Sequence, residues 1–219
     1  MTRPARSLLL TTLAAAALAA SLTACFPLLV GGAAVGAMMV VDRRTSGAQL
    51  EDEGIELRAG SRLRDAFGDR IHVNVTSYNR QVLLTGEART AEDKQAVEQL
   101  VSRVENVRAV VNEIGVTMHS SLQQRSNDVL ITGKVKASFI DAKDLQVNAF
   151  KVVTERGTVY LMGRVSQAEA DRATQITRTI GGVQRVVRIF EILTPEELQR
   201  LSREQPQPAA RPATVAPRS

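Results

Sequence analysis

Two stretches of the chain carry the same alternation of apolar and polar positions. Val73 to Gly86 and Phe150 to Gly163 each read as a short strand, a polar turn and a second strand ending in Val-x-Leu-x-Gly. The closing glycines, Gly86 and Gly163, lie 77 residues apart. A helix follows each hairpin. Thr90 caps a run from Ala91 to Arg103, and Ala96, Val97, Leu100, Val101 and Val104 fall on one face of it. In the second copy Ser166-Gln167-Ala168-Glu169 forms a capping box ahead of Ala170, Ala173, Ile176 and Ile180. A third strand closes each copy. Val110, Asn112, Ile114 and Val116 share one face of the first, and Val186, Arg188, Phe190 and Ile192 the matching face of the second. Asn112 and Arg188 mark where that face should reach solvent.

A helical stretch also precedes each hairpin. Ile55, Ala59, Leu63 and Phe67 recur every four residues in the first copy, and Ile131, Val135 and Phe139 in the second. Ser126, Asn127 and Asp128 offer caps for the latter, which predicts a helix over 128–140. The fold class is therefore α+β. Two tandem modules, 48–117 and 126–193, each run α-β-β-α-β, with two helices packed on a small three-stranded mixed sheet. Two copies at this spacing do not make a solenoid, which needs at least three shorter units.

The ends of the chain read differently. Arg3 and Arg6 precede an apolar run from Leu8 to Ala20, so residues 1–24 read as a signal peptide. Leu22-Thr23-Ala24-Cys25 resembles a bacterial lipobox, with Cys25 as the acylated first residue of the mature protein. By resemblance to enterobacterial sorting rules, Phe26 in place of Asp favours the outer membrane. Phe26 to Val41 is apolar and glycine-rich but shorter than the roughly 20 residues of a spanning helix. Residues 25–47 read as a membrane-proximal tether, with Asp42 to Gly47 as the linker into the folded part. Pro195 with Glu196 and Glu197 behind it starts a short helix over 194–203. Residues 204–219 hold four of the seven prolines and read as a disordered tail.

Composition narrows the chemistry. Aromatics are 3% of residues with no Trp, which argues against a base-stacking surface. One cysteine permits no internal disulfide and no Cys-based metal cluster. His72 and His119 have no companion at metal-ligand spacing and read as surface residues. No Ser-His-Asp arrangement is present. The only paired glycines, Gly31-Gly32 and Gly181-Gly182, read as tether and helix end. No catalytic residue, metal or cofactor is expected, and so no enzyme. The pI of 9.9 suggests nucleic acid, but export argues against such a partner.

A lipobox followed by two α-β-β-α-β modules with Val-x-Leu-x-Gly resembles the BON-domain proteins, in particular outer-membrane lipoproteins with two BON domains. Ile71 to Tyr78, Ser126-Asn127-Asp128, Val152 to Glu155 and Val159 to Gly163 carry the resemblance, which covers about residues 22–193. It implies a non-enzymatic protein at the periplasmic face of the outer membrane. Such a protein binds anionic phospholipid (phosphatidylglycerol, cardiolipin) through the second BON domain. It supports envelope integrity and associates with the β-barrel assembly machinery. In the alternative reading the acyl anchor only tethers a protein-interaction scaffold, and the BON domains recognise no lipid.

Charge distribution bears on that choice. Residues 47–117 carry a net −3 and residues 125–193 a net +4. The helix that opens the second module keeps Ile131, Val135 and Phe139 for its core. Its other face carries Val129, Leu130, Gly133, Lys134, Lys136 and Ala137, an insertion patch beside two lysines. Among the family's two-domain lipoproteins, the position of Leu130 is a tryptophan that inserts among lipids. Leucine keeps the hydrophobicity without the interfacial preference of indole.

Overall fold

The first module begins with helix α1, Ser46–Phe67, whose N-terminus is capped by Thr45 accepting from the Ala48 N–H. In this computed structural model the described residues are 42–118 and 120–204. The signal peptide, Cys25, residues 26–41, His119 and the proline-rich tail from 205 lie outside them. The hairpin β1 (Ile71–Tyr78) and β2 (Gln81–Ala88) follows, then α2 (Ala91–Ser102). Thr90 caps α2 as its sequence requires, accepting from the Asp93 N–H. The second module repeats the order: α3 (Leu122–Asp141), β5 (Phe150–Glu155), β6 (Thr158–Val165), α4 (Gln167–Thr179) and β7 (Arg185–Ile192). The capping box at Ser166 and Glu169 forms. Helix α5, Pro195–Glu204, ends the described chain, opened by reciprocal bonds between Thr194 and Glu197.

The α+β prediction holds, and each sheet is mixed. The middle strand, β2 or β6, pairs antiparallel with the hairpin partner and parallel with the returning strand. The first module departs from three strands. Its returning strand is broken into β3 (Ala109–Asn112) and β4 (Gly115–Val116), both paired with β2. Asn112 is the cause. Its side chain accepts from the Ile114 N–H and donates to the Lys94 carbonyl and to Glu98 on α2. Asn112 is thus half-buried against α2, not a solvent marker. Arg188 does reach solvent, paired with Asp171.

Each module has its own core, Ile55, Leu63, Val82, Leu84 and Val97 in the first, Val135, Phe139, Val159 and Leu161 in the second. A third cluster joins them: Tyr78, Leu83, Tyr160, Met162 and Ile189. Val82 and Leu84 face the helices while Leu83 faces the other sheet, and β6 alternates in the same way. The two sheets therefore pack back to back. This is why Val82 to Leu84 of β2 and Val159 to Met162 of β6 are continuous apolar runs, buried on both faces. The glycine that ends each motif has a steric reason. A Cβ on Gly86 would stand 2.1 Å from the His72 carbonyl oxygen, and one on Gly163 would stand 2.5 Å from that of Ala149.

Candidate functional site

Helix α3 begins earlier than its sequence suggested. Its N-cap is Ser121, which forms a full capping box with Gln124. Asp128 lies a turn and a half inside the helix, buried. It accepts from the backbone N–H groups of Arg156 and Gly157, both at 2.8 Å, and so fastens the β5–β6 turn. Asp52 on α1 does the same for the first module, accepting from Asn79 N (2.7 Å), Arg80 N (2.7 Å) and Ser77 Oγ (2.6 Å). Burial alone would push the Asp52 carboxyl up. The bonds from Ser77, Arg80, Arg44 and Asn79 outweigh it and hold the group below the ordinary carboxylate range.

With Ser121 as the cap, α3 spans 20 residues. Its buried side holds Ile131, Val135 and Phe139. The opposite side carries a line, or ridge, of exposed apolar side chains about 27 Å long, Leu122 (81% exposed), Val129 (71%) and Ile140 (67%), with Ser126, Gly133 and Ala137 between them and Lys136 at its edge. Leu130 (61%) flanks it. All six predicted residues, Val129, Leu130, Gly133, Lys134, Lys136 and Ala137, are exposed and on one helix. Neither Val129 nor Leu130 is buried against the first module. Leu122 lies outside a helix that starts at Asp128, whereas Ile140 lies within the expected 128–140 span, at its last position, and joins the exposed face one turn beyond Lys136. Ser121-x-x-Gln124 was the available signal for the earlier start. Lys134 and Lys136 lie about 160° apart around the axis, one on each flank of the ridge. Neither makes a hydrogen bond or ion pair among the described residues.

Hollows flank the helix. One, of about 520 Å³, is lined by Leu130, Lys134, Asn127, Arg156, Gly181 and Gln184 among others. The other, of about 450 Å³, places Val129, Arg125 and Thr132 opposite His72 and Asn74 of the first module. Glu155 borders the second, its carboxyl raised by burial and by Glu87 and Asp128.

The module charges have a structural use that the sequence did not reveal. Lys151 pairs with Glu56 (3.0 Å), Arg156 with Glu87 (3.7 Å), and Arg185 with Glu113. Much of the second module's basic excess thus answers carboxylates of the first, across the joint. The linker also differs from expectation. Arg43 is 8% exposed and donates to both Glu169 carboxylate oxygens from its two terminal nitrogens, Nη2 (2.7 Å) and Nη1 (2.8 Å), and from Nη1 to the Arg164 carbonyl (3.0 Å). Arg44 beside it bonds Asp42 and Asp52 and stacks on Tyr78, 4.3 Å from the ring centre. Residues 42–44 are a brace between the modules, not a loose linker.

Two α-β-β-α-β modules with a glycine-closed middle strand decide the family. Residues 51–118 and 127–193 each match the BON domain. The chain belongs to the BON-domain family. It is 35% identical over 175 residues to the outer membrane lipoprotein DolP of Haemophilus influenzae, covering 78% of this chain and 90% of that one. It is 34% identical to the 21 kDa hemolysin of Actinobacillus pleuropneumoniae, covering 68% of this chain and 78% of the relative. Osmotically-inducible protein Y of Escherichia coli is 27% identical, covering 52% and 58%. No helix among the described residues is long and apolar enough to cross a membrane.

Proposed function

We propose that this protein is an outer-membrane lipoprotein, acylated at Cys25 and facing the periplasm. Its second BON domain binds anionic phospholipid through α3, and it supports envelope integrity without a catalytic role. The observation that carries this reading is the α3 ridge. Four large apolar side chains stand exposed on one helix, with an unpaired lysine on each flank. An exposed apolar stripe of this length is the expected form of an interfacial helix. Its relation to a named outer membrane lipoprotein over most of both chains supports the location. Phosphatidylglycerol and cardiolipin are the candidate lipids, since each lysine near an anionic surface contributes about 1 kcal/mol.

Co-sedimentation with vesicles tests the reading. Binding to phosphatidylglycerol vesicles that weakens with salt, with none to zwitterionic ones, is expected. Leu130→Glu with Lys134→Glu should weaken it roughly tenfold or more, through lost apolar burial and reversed charge. Indifference to both vesicle types would leave the second reading, a lipid-tethered scaffold for outer-membrane protein assembly. Leu50 and Leu57, exposed at 72% and 74% on α1, offer that scaffold a separate apolar contact.

A further inference from the structure

The hollow beside Leu130 differs in chemistry from the ridge. Its lining is rich in hydrogen-bond donors. Lys134 has no partner among the described residues. Asn127 uses its side-chain oxygen to accept from Gln123, and Gln124 uses its own to accept from the Ser121 N–H, so each keeps an NH₂ group. Asp128 is the carboxylate in the lining, and both its oxygens are occupied by the turn N–H groups. Arg156 adds a second cation, held by the Met118 carbonyl and Glu87. The walls are fixed closely. Gly157, at φ 71°, leaves room for Gln184, and Gly182, at φ 102°, lies against Ile131. Leu130 forms the lip toward the apolar ridge.

We propose that this groove is a phosphate-ester subsite that takes the phosphodiester headgroup of one phospholipid while its acyl chains lie along the ridge. The proposal rests on the reading of α3 as a membrane face and adds selectivity to it. A tetrahedral phosphate offers several acceptor oxygens to the lysine and amide donors gathered here, and the amides can also accept from headgroup hydroxyls. A surface that only sums charge would treat any anionic lipid alike. Lys134 and Lys136 separate the two cases within one helix, because only Lys134 lines the groove.

The test compares vesicles of equal anionic content in digalactosyl diacylglycerol, a neutral host without phosphate, one with phosphatidylglycerol and one with a diacylglycerol hemisuccinate, so that only the first vesicle carries a phosphodiester. The protein is the chain from Val40 onward, since the described residues form one compact unit containing all three apolar clusters. It should bind phosphatidylglycerol about tenfold more tightly, the worth of one charged hydrogen bond. Lys134→Gln should abolish that preference, whereas Lys136→Gln should weaken both bindings equally. Gly181→Glu, at a site where an added Cβ meets nothing within 4 Å, should also abolish it without disturbing the fold. Equal wild-type binding to both anionic vesicles would overturn the subsite and leave the membrane face standing. So would identical behaviour of the two lysine variants. Binding of glycerol 3-phosphate in solution as tightly as the vesicles would overturn a lipid source for the phosphate. Binding to neither anionic vesicle would overturn the membrane reading as well.

Discussion

Two aspartates at equivalent places show how single residues hold this repeat together. Each first helix presents one buried carboxylate to the hairpin turn of its own module. The turns are demanding. Asn79 and Arg80 both have positive φ (50° and 66°), as do Arg156 and Gly157 (51° and 71°). That is the backbone of a two-residue turn whose twist matches its strands, and non-glycine residues adopt it at a cost. Two N–H bonds to a carboxylate offset that cost in each module. Asp52 also binds Ser77 and Arg44. Asp52→Ala should therefore destabilise by about 3–5 kcal/mol, as for a broken buried ion pair. Asp128→Ala, which strands two N–H groups, should cost about 2 kcal/mol. Chemical denaturation of the two variants checks the order. The sequence held this signal in the recurring Asp ahead of each turn, but Asp128 also suits a helix cap. Local pattern cannot tell a side chain that caps its own helix from one that reaches a turn 28 residues away.

Helix faces were the most legible level. The period of Ile131, Val135 and Phe139 assigned the buried side of α3, and with it the exposed side, because one helix cannot bury both against a single sheet. The brace at residues 42–44 was not legible. Polar residues next to an apolar tether look like a linker until Glu169, distant in sequence, is placed beside them. A protein truncated to start at Gly47 loses Arg43, Arg44 and the Thr45 cap, and should melt several degrees below one starting at Val40. The Arg43–Glu169 contact also predicts a pH dependence. Burial opposes ionisation of Glu169, but Arg43 and Ser166 outweigh it and hold the carboxyl below its ordinary value. The stabilisation is present above the unfolded-state value of about 4.3 and is lost as pH falls through the lower folded-state value. Glu169→Gln should thus be less stable than wild type at pH 7. The gap should close on acidification, as read from urea midpoints between pH 7 and 3.

For the whole molecule, opposite net charges on the modules looked like a lipid-reading signal and turn out to serve assembly in part. The pairs Lys151–Glu56, Arg156–Glu87 and Arg185–Glu113 have a basic partner more than a third exposed, so each adds little stability. Together they favour one docking of the two sheets over others. The back-to-back joint through Tyr78, Leu83, Tyr160 and Met162 was hidden in the sequence. An inter-sheet residue and a core residue look identical when both strand faces are apolar. The free positive charge of the second module is therefore smaller than a net +4 implied, with Lys134 and Lys136 beside the α3 ridge and Lys143 and Arg178 elsewhere among its exposed cations without an ion pair to a described residue.

Nitroxide depth measurement tests the α3 membrane face most directly. The chain's single cysteine is Cys25, so the protein from Val40 onward takes one label at a chosen place. Labels at Ala137→Cys on α3 and at Leu57→Cys on α1 would be compared on phosphatidylglycerol vesicles by their accessibility to oxygen and to a polar relaxant. The α3 label should move into the oxygen-rich acyl region on binding, while the α1 label stays in water. An α3 label that remains in water on vesicles that retain the protein would contradict the assignment of α3 as the membrane face.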